Sequence, residues 1–163
     1  MQNYSKIQKF LHDLVLGNKF INKSVFELEK IIYLKKKEIK NESHVFITGL
    51  PRSGTTSLLK FLYSSENYAS LTYRHMPFIL SPNFSKLFQR KNILIKERLH
   101  GDGITYDINT PEALDEVFFN NNDEFIKDEL VNYIELILIS ENKEKYLSKN
   151  NLNFKRINLI NSI

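Results

Sequence analysis

The stretch HVFITGLPRSGTTSLLKFL, residues 44–62, constrains the fold more than any other part of the chain. Val45, Phe46, Ile47 and Thr48 are β-branched or aromatic and run straight into Gly49, as a buried strand feeding a loop does. From Ser53 onward, Leu58, Leu59, Phe61 and Leu62 predict a helix that packs back on that strand. A glycine-rich turn between a strand and a helix gathers its own N–H groups and the first free N–H groups of the helix into one concavity, which favours an anion. Gly49 and Gly54 have the spacing of the nucleoside-triphosphate loop G-x-x-x-x-G-K-[ST], but Thr55 stands where that loop carries its lysine. The nearest positive charge, Arg52, lies inside the loop.

The rest of the chain is read around this unit. At 163 residues it is one domain's length, with 42% hydrophobic and 26% charged residues, as in an ordinary globular protein. Ile7, Phe10, Leu11, Leu14 and Val15 mark one helix face ending near Gly17. Ser24 and Glu27 form an S-x-x-E capping box that predicts the start of a second helix, with Phe26, Leu28, Ile31, Ile32 and Leu34 as its apolar positions before KKKEIK. Residues 1–42 are thus expected to form an accessory helical hairpin, and residues 43–163 the main body. In ASLTYRHMPFIL an extended segment leads into a loop, because Pro77 and Pro82 forbid a helix through it. SPNFSKLFQRK then gives a short helix. Gly101 and Gly103 flank Asp102, and Thr110, Pro111 and Glu112 look like a helix start. Residues 123–140 make a long helix, KYLSKN a strand and FKRINLINSI a last helix. This order predicts a three-layer, P-loop-like α/β fold with a mainly parallel sheet. The apolar face of Ile157, Leu159, Ile160 and Ile163 runs to the last residue, and strand candidates are few. Both point to a truncated chain, the amino-terminal part of a longer protein.

Several functions are disfavoured by composition. The net charge of +4 is too small to imply nucleic-acid binding without a clustered basic face, and it suits a small anion. There is no cysteine, which removes thiolate catalysis and Cys-ligated zinc. Neither a signal peptide nor an apolar run long enough to span a membrane is visible, so a cytoplasmic location is expected.

FITGLPRSGTTSLLKFL resembles the 5′-phosphosulfate loop of sulfotransferases, P-[KR]-S-G-T-[TS] after the first strand. YRHMPFILSPNFSKL, ERLHGDGITYDINTPEALDEVFF and KYLSKNNLNFKRINLI are similar to successive segments of a bacterial branch of that superfamily. The resemblance covers about Val45 to the end. It implies 3′-phosphoadenosine 5′-phosphosulfate, PAPS, as co-substrate and a sulfuryl transfer to a hydroxyl or amine, with no metal. The acceptor would be a small molecule, carbohydrate or peptide. By the same resemblance Pro51, Arg52, Ser53, Gly54, Thr55 and Thr56 bind the phosphosulfate, while Arg52 and Lys149 neutralise charge on the transferring group. His75, with an ordinary pKa near neutrality, is the first choice for the base, and His100 and Asp102 are its rivals. Asn151 stands where cytosolic members place a histidine. The Arg and Ser that hold the donor's 3′-phosphate in the family have no counterpart here, so this chain is expected to hold half of the donor site. The alternatives are a non-catalytic anion- or nucleotide-binding module and a P-loop small-molecule kinase.

Overall fold

The structure, a computed structural model, describes residues 15, 17–34, 43–88, 96–97, 105–121 and 127–163. Helix α1 spans Lys19–Tyr33, strand β1 Val45–Ile47, helix α2 Thr55–Tyr63 and strand β2 Tyr68–Ala69. A 3-10 turn at Tyr73–His75 leads to the single-turn helix α3, Pro82–Ser85, which a second 3-10 turn, Lys86–Phe88, continues. Strands β3 (Lys96–Glu97) and β4 (Thr105–Tyr106) pair as an antiparallel ribbon that the sequence reading did not anticipate. Then come α4 (Glu116–Asn121), α5 (Lys127–Glu141), β5 (Lys145–Lys149), a 3-10 turn at Asn153–Arg156 and the short helix α6 (Ile157–Ile160).

The fold is α/β. Among the described residues the main sheet has the order β1-β5-β2, with both pairings parallel. Val45 lies opposite Leu147, Ile47 opposite Lys149 and Tyr68 opposite Lys145. The middle of the central strand is buried on both faces, with Tyr146 and Leu147 pointing to opposite sides. On one face Leu147 and Ile47 pack against Leu59 of α2. On the other, Tyr146 and Ala69 join Phe26 of α1, Phe118 of α4 and Leu130, Tyr133 and Ile137 of α5.

Several sequence expectations are corrected. Helix α1 begins at Lys19, where the Asn18 side chain accepts hydrogen bonds from the N–H groups of Phe20 (3.0 Å) and Ile21 (3.2 Å). Ser24 is mid-helix and donates to the Phe20 carbonyl at 2.9 Å, so Ser24 and Glu27 are no capping box. Of the predicted apolar positions Phe26 is buried and Leu34 packs against the core, but Leu28, Ile31 and Ile32 are exposed, and Asn22 and Glu29, at i and i+7 with Phe26 at i+4, complete the core face. The Phe26 ring meets Phe118 and Tyr133 edge-on at 6.3 and 6.1 Å, so α1 contributes this side chain to the main core. Of the first predicted helix only Val15 and Gly17 are described, both helical.

The expected helix start at Thr110 is also displaced. The Thr110 hydroxyl is engaged with Asp107, Pro111 bridges to Thr72, and α4 starts only at Glu116. Likewise the last predicted helix divides into a 3-10 turn and a single α-turn. No helix among the described residues is long and apolar enough to cross a membrane.

Candidate functional site

The loop after β1 is shaped by two left-handed residues. Gly54, the residue before α2, has φ 81°, a conformation glycine adopts without cost. Arg52 has φ 65°, which a side-chain-bearing residue adopts only when its surroundings impose it. Between them Ser53 donates its N–H to the Leu50 carbonyl at 3.2 Å and closes the turn. The turn ends at the start of α2, whose first N–H groups have no intrahelical acceptor and favour an anion. A Cβ built on Gly49 would stand 2.9 Å from both Ser53 Oγ and Thr55 Cγ2, so the loop closes over this glycine. A Cβ on Gly54 meets nothing within 4 Å, so Gly54 is required by its φ and its outer side is open. Residues Pro51 to Gly54 are exposed, and Thr55 and Thr56 are half-buried at the helix start.

Lys149 ends the neighbouring strand at the same edge of the sheet. Its Cα is in register with Ile47, the last residue before the loop. Side chains alternate along a strand, so Lys149 lies on the face that carries Leu147, and Leu147 packs against Leu59, one turn into α2. The chain thus brings Lys149 to the amino-terminal end of the loop helix. Parallel strands leave their functional loops at this carboxyl edge, where ligands of open α/β sheets bind.

His75 is placed elsewhere. It is 0% exposed, and its Nδ1 accepts the Thr72 N–H at 2.9 Å while Nε2 lies 3.1 Å from Glu141 Oε1. Glu141 closes α5 just before the chain re-enters the sheet at Lys145, the opposite end of β5 from the loop. The five residues of β5 span about 13 Å. Both ring nitrogens are therefore used to hold the 72–75 turn against α5, and His75 is not brought to the loop as the expected base. His100 and Asp102 lie outside the described residues.

Burial pushes the Glu141 carboxyl up, but the hydrogen bond from His75 and the nearby charges of Arg74 and Lys86 outweigh it and hold Glu141 below its ordinary 4.5. An acid lowered in the folded state contributes stability above its unfolded value and loses it as pH falls through the lowered folded value. The stability difference between the unsubstituted chain and Glu141→Gln, from urea titrations between about pH 6 and about pH 3, is expected to shrink as pH drops below that ordinary value. A difference that stays constant or grows on the acid side removes this account of the contact.

A polar group not foreseen from sequence sits at the loop edge, on the other face of β5. Asp115, 5% exposed, accepts hydrogen bonds from Ser148 Oγ and, at 3.3 Å, Asn150 Nδ2. Burial pushes its carboxyl up against these donors. Glu116 accepts from the same Asn150 amide and takes two hydrogen bonds from Arg156 Nη2, at 2.9 and 3.0 Å. The sequence signal was an acid pair, Asp115 and Glu116, that the misplaced helix start at Thr110 concealed. Comparison with family models, with curated proteins and with solved structures gives no match.

Proposed function

We propose that the chain binds the 5′-phosphosulfate of PAPS in the loop Pro51–Thr56 and belongs to a sulfotransferase that moves the sulfuryl group to a hydroxyl or amine acceptor. The observation that carries the reading is the loop itself, with left-handed Arg52 and Gly54 in the turn that joins β1 to the start of α2, beside the strand end that carries Lys149. The residues fit a tetrahedral oxyanion group: an open side at Gly54, two threonine hydroxyls at the helix start, and one guanidinium able to donate to two oxygens. In the transfer the acceptor oxygen or nitrogen forms a bond to sulfur and gives up its proton to water, while the bond from sulfur to the bridging oxygen breaks and adenosine 3′,5′-bisphosphate leaves with that oxygen. Arg52 and Lys149 then oppose the charge that builds on the leaving oxygen and the sulfuryl oxygens. A kinase reading requires a lysine where this chain has Thr55.

Titration calorimetry tests the proposal. Adenosine 3′,5′-bisphosphate is expected to bind more tightly than ATP and without magnesium; magnesium-dependent binding of ATP in its place overturns the reading. Arg52→Ala should weaken the bisphosphate by about tenfold to a hundredfold, the loss of a charge-assisted contact of roughly 1.5–3 kcal/mol. An unchanged affinity would mean that the loop charge is not part of the site.

A further inference from the structure

The loop is hinged on a single carbonyl. Ile47, the last residue of β1, accepts at its C=O from Asn150 N–H (3.1 Å) and from Asn153 Nδ2 (3.2 Å). One residue on, Thr48 Oγ1 donates to the Asn151 carbonyl at 3.4 Å. The turn 150–153 that follows β5 therefore grips the exact point where the chain leaves the sheet to form the loop. That turn has no partner strand of its own. What holds it is Asn150, 6% exposed, whose backbone and side-chain polar groups are all engaged.

The side chain of Asn150 suits this place and few others would. Its Nδ2 donates to two carboxylates on α4 and its approach, Asp115 and Glu116, while its Oδ1 accepts from Leu152 N–H at 2.9 Å. The amide orientation is fixed by these partners, since only the nitrogen can face two acceptors. Glu116 is held in turn by Arg156, and the Arg156 guanidinium lies 3.7 Å over the Phe119 ring. Arg156 belongs to the 3-10 turn directly after 150–153, so the contacts close into a ring. An aspartate at 150 would set three carboxylates together, and a serine is too short to reach both acids and Leu152.

We propose that Asn150, clamped between Asp115 and Glu116, is a positioning residue for the anion loop: through the Ile47 carbonyl it fixes where the loop starts and, one residue earlier, where Lys149 stands. It touches no ligand. The proposal rests on the loop being the anion site, but its principal test needs no ligand and can fail separately.

The test is amide hydrogen exchange on the whole chain. Asn150→Asp is expected to raise exchange of the hydrogen-bonded amides of Ser53 in the loop and of residues 150 and 153 in the turn about tenfold while circular dichroism stays that of a folded protein, as loss of a structural contact worth one power of ten would do. Adding Glu116→Gln exchanges donor and acceptor, and the double variant should recover at least half of the loss on a logarithmic scale. In the same variants adenosine 3′,5′-bisphosphate should weaken and recover in parallel. Loop exchange unchanged in a folded Asn150→Asp chain, or a double variant as loose as the single one, overturns the proposal. If Asn150→Asp fails to fold, Glu116→Gln alone decides, with about threefold faster loop exchange expected and no change overturning it. Failure of the unsubstituted chain to bind the bisphosphate would refute the donor-site reading alone, with the exchange result still deciding for or against the clamp.

Discussion

Replacing Glu29 by alanine is expected to lower the free energy of unfolding by about 3–5 kcal/mol, read by urea titration, and the melting temperature by roughly 10 °C. Glu29 is 0% exposed. Its carboxylate accepts from the N–H of Asn83 (2.9 Å), the Asn83 side-chain amide (2.8 Å) and the N–H of Phe84 (3.0 Å). These backbone groups open α3, whose preceding residue, Ser81, makes no side-chain cap. A carboxylate from a helix more than fifty residues earlier therefore does the work of the cap. Alanine would leave the donors buried without an acceptor, and each orphaned group costs about 1–3 kcal/mol. Glu29→Gln keeps an acceptor oxygen and is expected to lose roughly half as much. Stability within about 1 kcal/mol of the unsubstituted chain for Glu29→Ala would show that the contact holds nothing.

Gly49→Val should cripple the loop with little effect on the rest of the fold. Even a methyl group at this position would stand 2.9 Å from Ser53 Oγ and Thr55 Cγ2, and neither short side chain has a long stem with which to swing clear. The loop must open to admit it. Overpacking of this kind costs about 1–3 kcal/mol, so affinity for adenosine 3′,5′-bisphosphate should fall by roughly fivefold to 150-fold, with Gly49→Ala intermediate. Calorimetry on both variants checks the order. Equal affinities for glycine, alanine and valine at 49 would mean that the closed loop is not the binding form.

The strand-loop-helix unit was legible because each of its signals is local. Branched residues before Gly49, helical spacing after Ser53 and glycine at 54 act within a few positions of one another. The strand at KYLSK was legible for the same reason. Misreadings arose where a distant partner overrides a local rule. Ser24 and Glu27 have the spacing of a cap, but Asn18 starts the helix earlier, and the burial of Asn22 and Glu29 turns its apolar Leu28 and Ile31 to the outside. Glu29 sits in the core only because Asn83 and Phe84 supply donors from another element, which periodicity cannot reveal. His75 met the chemical profile of a base, yet Thr72 and Glu141 take both its nitrogens. At the site, the loop could be seen in the letters, whereas the Asn150 clamp joins residues that are 34 and 35 positions apart.

The middle place of β5 in the sheet sets a schedule for folding during synthesis. Neither β1 nor β2 pairs with the other; each waits for a strand made much later. His44, the residue before β1, accepts a hydrogen bond from the N–H of Tyr146 in β5, 102 residues later. At ribosomal rates of about 5–20 residues per second, the first strand spends roughly 5–20 seconds outside without its neighbour. During that interval Val45, Phe46 and Ile47 are an uncovered apolar edge, the kind of segment that nascent-chain chaperones shield.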